Sequence, residues 1–127
     1  MTRINAGISP SRLSNKHLLA EHREIKRIPN QVSKGRYRLE GIPDEFCLGT
    51  GHVKFFYDKL GYLLKRYQEI HQECKRRGFQ VQDWSDAWRG VPSTLMNDWI
   101  PDERVTRILE TRILERGGFL VEEGKII

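Results

Sequence analysis

Apolar side chains return at helical spacing over residues 52–77. Val53, Phe56, Tyr57, Leu60, Leu63, Leu64, Tyr67, Ile70 and Cys74 fall on one stripe. The stripe predicts a long helix whose inner face walls the core. Lys75, Arg76 and Arg77 place cations at its negative end, and Gly78 supplies the stop. A second periodic stretch predicts a helix over 11–28, with Leu18, His22 and Ile25 on one side and Pro29-Asn30 ending it. Ser9 ahead of Pro10 is the candidate cap. A third helix is predicted from Ile100-Pro101-Asp102-Glu103 to near Arg116, with Val105, Ile108, Leu109 and Ile113 as its buried stripe. Residues 1–9 read as extended, with Ile4 and Ile8 tucked into a groove. Residues 29–51 and 79–100 read as irregular. In the second of these, Trp84, Trp88 and Trp99 either pack over helix ends or face a partner, and packing is the preferred reading. The C-terminal FLVEEGKII is short enough to dock through Phe119 and Leu120. No strand pattern emerges. The expected fold is all-α: a compact single domain of three main helices with long irregular connections.

The length of 127 residues suits one domain spanning 1–127. Hydrophobic content of 38% and charged content of 31% allow a modest core under a charged surface. No apolar run reaches the length of a membrane span, and no apolar stretch follows the N-terminus, so a cytoplasmic location is expected. Cys47 and Cys74 lack metal-ligand spacing and read as reduced thiols. The net charge of +5 changes the picture more, because it favours a polyanionic partner, nucleic acid first. The run Ser33-Lys34-Gly35-Arg36-Tyr37-Arg38 suits phosphate contact plus stacking, and equally suits a solvated loop. Gly49-Thr50-Gly51 precedes a helix and offers amides to a phosphate, but no Gly-Lys-Ser/Thr follows, which excludes a Walker site.

The four histidines, 17, 22, 52 and 71, form no metal-like pattern, so neither metal nor other cofactor is expected. On the first helix, His17 and Glu24 fall within roughly 20° on the wheel, flanked by Arg23 and Arg27. One carboxylate thus sits among cations. The N-terminus is a candidate nucleophile: an α-amine titrates near 7.7–8.0, well below lysine, and neighbouring cations lower it further. Thr2 is small enough that removal of Met1 is expected, exposing the threonine amine. Such an amine can attack a sugar carbon and form a Schiff base, while Glu24 stabilises a developing cation and moves protons. The plain alternative is a frayed tail beside an ordinary Glu24–Arg27 surface pair.

MTRIN at 1–5, HLLAEHREIKR at 17–27 and LGTGHVKFFYDKL at 48–60 together resemble the phage-type pyrimidine-dimer DNA glycosylase/AP lyase family, the denV-type endonuclease V. ECKRRGF at 73–79 and WIPDE at 99–103 extend the resemblance weakly, to about residue 116. It implies an all-α domain with the N-terminal segment passing between helices. It implies removal of a base at a lesion in double-stranded DNA, then strand cleavage by β-elimination, without metal. Thr2, through its α-amine, is the implied nucleophile and Glu24 the essential carboxylate. Arg3, His17, Arg23 and Arg27 match family positions that contact DNA or shape the site. Lys16, Lys34, Arg36 and Arg38 join them as DNA-contacting candidates on charge and position. The family kinks the duplex and flips a base, expected from the strand opposite the lesion. The chain departs from the pattern in three places: it lacks the aromatic-rich tail, His22 replaces a usual Tyr, and Lys16 a usual Gln. The reading is a monomeric repair glycosylase/lyase for ultraviolet-type dimers. The alternatives are the same chemistry on another damaged base and a non-catalytic basic DNA-binding module.

Overall fold

A computed structural model of the chain describes residues 2–122. Five α-helices carry it: α1 (Asn15–Glu24), α2 (Arg27–Ser33), α3 (His52–Phe55), α4 (Leu60–Arg76) and α5 (Glu103–Glu115). Short 3-10 turns lie at Pro10–Arg12, Phe56–Asp58, Ser85–Trp88 and Ser93–Leu95. Among the described residues the one extended pairing is an isolated antiparallel bridge between Leu13 and Leu120. The fold is all-α, as expected.

Two of the three expected helices are interrupted, each for a local reason. The first begins at Asn15, not residue 11, because Leu13 and Ser14 are extended and the Ser14 hydroxyl accepts the His17 N–H at 3.3 Å. It breaks at Ile25-Lys26, upstream of Pro29. Proline at 29 cannot donate to the Ile25 carbonyl one turn back, so the ladder fails there. Pro29 itself then sits in the first turn of α2, where its missing N–H is harmless. Proline therefore divides the helix above itself and does not end it.

The second expected helix breaks at Lys59 (φ −129, ψ 39), which separates α3 and its 3-10 extension from α4. The loop after the fourth 3-10 turn docks at this break. The Asn97 carbonyl accepts the Tyr62 N–H at 3.0 Å, and the Asn97 amide donates to the Asp58 carbonyl at 2.9 Å. Gly61 permits the approach, since a Cβ there would lie 2.7 Å from the Met96 carbonyl oxygen. Of the expected stripe, Phe56, Leu60, Leu63, Tyr67, Ile70 and Cys74 are buried, whereas Val53, Tyr57 and Leu64 are half-buried. The stop at Gly78 (φ +86) is as expected, with the Phe79 N–H returning to the Cys74 carbonyl at 2.9 Å. Arg77, however, is no surface cation. It turns inward to the Pro10, Ser11 and Leu13 carbonyls and to Glu73, binding the start of the chain to the end of α4.

α5 starts one residue later than its acidic signal, with the Asp102 side chain capping the Val105 N–H at 3.0 Å. Its Val105, Leu109 and Ile113 are buried, and Ile108 is half-buried. The tryptophans pack, as preferred. Trp88 donates to the Leu60 carbonyl at 3.1 Å, Trp99 stacks on Phe46, and Trp84 carries the Lys26 ammonium 3.4 Å above its ring. At the tail Leu120 docks beside Leu13, but Phe119 stays exposed; residues 123–127 lie outside the described residues.

The N-terminal segment is the centre of this arrangement, not an appendage. Ile4, Ala6 and Ile8 are fully buried, so the expected groove exists. The segment touches α1, α3, α4 and α5 through contacts that also build the site.

Candidate active site

Three polar clamps hold residues 4–8. On α3, His52 Nε2 accepts the Ile4 N–H at 3.0 Å while its Nδ1 faces the Cys47 carbonyl at 2.9 Å. A carbonyl can only accept and an amide N–H can only donate, so these partners fix the ring as the neutral Nδ1–H tautomer. On α1, Glu21 Oε1 accepts from the Asn5 amide at 3.0 Å. On α4, Arg66 meets both Glu21 oxygens, at 2.8 and 3.0 Å, and donates to the Ile8 carbonyl at 2.6 Å. The Glu21 side chain is 0% and the Arg66 side chain 4% exposed. Desolvation alone would weaken the Arg66 charge, but the contact with Glu21 outweighs it and its pKa is raised. Behind the segment, Gly7 turns at φ +80 against α5. A Cβ there would meet the Thr106 hydroxyl oxygen at 2.3 Å, so no other residue fits this turn.

These clamps set the direction of the chain. Asn5 lies beside Glu21, and Arg3 lies within electrostatic range of Glu24, one turn further along α1. The segment thus runs antiparallel to α1, and residue 2 is half-buried. Met1, whose removal would free the Thr2 amine, lies outside the described residues. Glu24 is half-buried at 16% side-chain exposure, and Arg23, 61% exposed, approaches it at 3.7 Å.

A cleft of about 490 Å³ lies between the start of α1 and the end of α5, lined by Lys16, His17, Arg116 and Phe119 among others. The Ser14 hydroxyl lies 2.9 Å from His17 Nδ1, and Gly118 packs against the ring edge. Burial first, then Lys16 and Arg3, depress the His17 pKa. Arg3 is likewise disfavoured as a cation by burial, then by Arg112 and Arg116, while Glu24 supports it. Arg3, Lys16, His17, Arg23 and Glu24 therefore share one cationic side of the molecule. Arg27 opens α2 just beyond them. Lys34 follows α2, and Arg36 and Arg38 line a separate cleft with Lys54 and Tyr57.

Several residues here carried no signal in the sequence. Glu21, Asn5, Arg66 and His52 hold the N-terminal segment, yet their pairings span 16 to 58 positions. Arg112 on α5 and Arg116 just after it lie within electrostatic range of Arg3 and read in the sequence only as surface charge. Arg112 Nε is buried with no hydrogen-bond partner among the described residues. Conversely, His22 turns into the protein, with Nε2 3.0 Å from His71 Nδ1 and its pKa lowered to about 4 by burial. α3 is a single turn, too short to hold the phosphate that Gly49-Thr50-Gly51 suggested.

The His52 clamp has a pH signature. Burial depresses its pKa below the ordinary 6.5, so folding favours the neutral ring. Its contribution to stability is complete above about 6.5 and declines as pH falls through the interval down to the lowered folded value. His22 acts in the same direction. We therefore expect urea unfolding of wild type to weaken from pH 7.5 to pH 5 by more than that of His52→Gln. Parallel curves would exclude His52 as the titrating clamp.

A family model described as pyrimidine dimer DNA glycosylase matches residues 1–86. The match takes in the N-terminal segment, α1 through α4 and the clamps between them, and stops before α5. The chain belongs to the pyrimidine dimer DNA glycosylase family, and its chemistry is that of a DNA repair glycosylase.

Proposed function

We propose that this glycosylase works through the Thr2 α-amine and is also an AP lyase. The amine attacks C1′ of a dimer deoxyribose, and the glycosidic bond breaks with its electron pair leaving on the base, which takes up a proton. The C1′–O4′ bond of the sugar ring then opens, the nitrogen giving up a proton and O4′ gaining one, which leaves an imine. The imine is an electron sink: loss of a C2′ proton breaks the C3′–O3′ bond, expels the 3′ phosphate and cuts the strand. Water then hydrolyses the imine and returns the amine. Glu24 balances the cationic sugar and accepts and returns the protons. Arg3, Arg23 and Arg27, with Lys16 and His17, hold the flanking phosphates, and Lys34, Arg36 and Arg38 extend the contact along duplex DNA. The chain acts as one domain and one monomer, and needs no metal.

The observation that supports this reading most is the burial of Ile4 and Ile8 together with the Asn5–Glu21 and Arg3–Glu24 proximities. A frayed tail would not be anchored on four helices. Borohydride reduction with thymine-dimer DNA should trap a covalent adduct on the amine of residue 2. An added N-terminal residue should abolish it. An adduct that survives this extension, or maps to a lysine, would sink the assignment. A panel of other lesions run in parallel tests the alternative substrate.

Seven lysines and arginines are assigned to phosphates here: Arg3, Lys16, Arg23, Arg27, Lys34, Arg36 and Arg38. At about −0.9 per phosphate, log Kobs against log salt should approach a slope of about −6. A nearly flat response would remove the basic face from the account.

A further inference from the structure

The loop after α2 builds a second, separate feature. Gly35, Arg36, Tyr37, Arg38, Lys54 and Tyr57 enclose a cleft of about 460 Å³. The Tyr37 and Tyr57 rings meet edge to face at 6.1 Å. The Tyr57 hydroxyl donates to Gln31 Oε1 at 3.3 Å, which fixes that ring on α2. Gly35 turns at φ +72 with open space where a Cβ would lie, leaving the mouth clear.

Charge separates this cleft from two of the others, while the adjoining cleft that shares Gly35, Tyr37 and Arg38 adds Glu40 at its edge. Its lining carries three cations and no carboxylate. The larger groove along α4, about 810 Å³, sets Glu69 and Glu73 against Lys65 and Arg76. The neighbouring cleft at Gly41–Asp44 carries Asp44 and Asp58. A polyanion is drawn to the first and not to the other two. Aromatic faces beside cations suit a nucleobase with its phosphate, since base–aromatic stacking is tolerant of sequence.

We propose that this cleft seats one unstacked nucleotide of the bound DNA, its base against Tyr37 and Tyr57 and its phosphate on Arg36, Arg38 and Lys54. The proposal rests on the DNA-binding reading above but not on the Thr2 chemistry. α2 connects the two places: it begins at Arg27 and ends at Ser33. Its seven residues span about 10 Å, roughly three base steps along a strand. The nucleotide is thus expected a few steps from the lesion.

The test combines Tyr37→Ala and Tyr37→Trp with a set of thymine-dimer duplexes. Each duplex carries an abasic spacer at one position, one to six nucleotides to either side of the lesion, on either strand. Wild type should lose about tenfold in affinity at one spacer position. Tyr37→Ala should bind the intact duplex about tenfold more weakly and show no spacer sensitivity, and Tyr37→Trp should restore both. Thermal unfolding checks that Tyr37→Ala is folded. If Tyr37→Ala keeps wild-type affinity, or keeps the same spacer position, the cleft is not a nucleotide seat. Borohydride trapping is read separately, on wild type at saturating unspaced thymine-dimer DNA. Loss of trapping in wild type would therefore strike the Thr2 mechanism alone, and loss of spacer coupling the cleft alone.

Discussion

Glu24→Gln is expected to bind thymine-dimer DNA as tightly as wild type and to remove the base about a thousandfold more slowly. The substitution keeps volume and hydrogen-bonding reach but deletes the charge and the ability to take a proton. General acid–base groups contribute typically about 10²- to 10⁴-fold, and a charge aimed at a developing cation adds to this in a partly dehydrated site. Glu24 is half-buried beside Arg3 and Arg23, so its field is less screened than that of a surface carboxylate. Binding should not suffer, because removing a negative charge from a phosphate-facing surface does not weaken it. Single-turnover excision at saturating enzyme, with affinity measured separately, distinguishes the two effects. Wild-type excision by Glu24→Gln would take Glu24 out of the mechanism. Equal loss of binding and excision would make it a structural residue.

The sequence was most legible where one short-range rule decides the outcome. The 3.6-residue stripe of α4, the glycine stop at 78 and the acid-rich start of α5 each depend on neighbours within a turn or two, and the structure carries all three. It was less legible where two short-range rules compete. Pro29 was read as a terminator, but proline is excluded only from later turns, so the chain restarts as α2 around it. At Lys59 the stripe ran on, yet the helix broke. The carbonyl that rescues its orphan donor comes from Asn97, which no local pattern announces. The site divides in the same way. Arg3, His17, Arg23 and Glu24 lie in two short blocks, and the helical wheel places three of them near one flank. The residues that hold Asn5 and Ile8 in position could not be read, because a buried Glu–Arg pair looks in sequence like any surface charge. Cys74 is fully buried and His22 turns inward, so neither is available to the chemistry.

The buried Glu21–Arg66 pair carries the second large expected effect, and here stability and activity should part company. Glu21→Leu leaves a guanidinium in the core facing one carbonyl, and Arg66→Met leaves a carboxylate facing one amide. Breaking a buried pair from one side typically costs about 3–5 kcal/mol, against a total stability of about 5–15 kcal/mol for a domain. Each single variant should thus be close to unfolding at 37 °C. The double variant Glu21→Leu/Arg66→Met removes both charges, and well-packed apolar replacements of a buried pair are often close to neutral. Its urea midpoint should sit above that of either single variant, a strong departure from additivity. Activity should not return with it. The double variant still strands the Asn5 amide and the Ile8 carbonyl, which the pair holds at 3.0 and 2.6 Å, so the N-terminal segment loses its register along α1. The expected signature is recovered stability with trapping at residue 2 reduced at least tenfold, since a displacement of about 1 Å can cost 10²-fold in rate. If stability and trapping recover together, the pair only fills the core. If the two single costs simply add, the charges do not act as a pair at all.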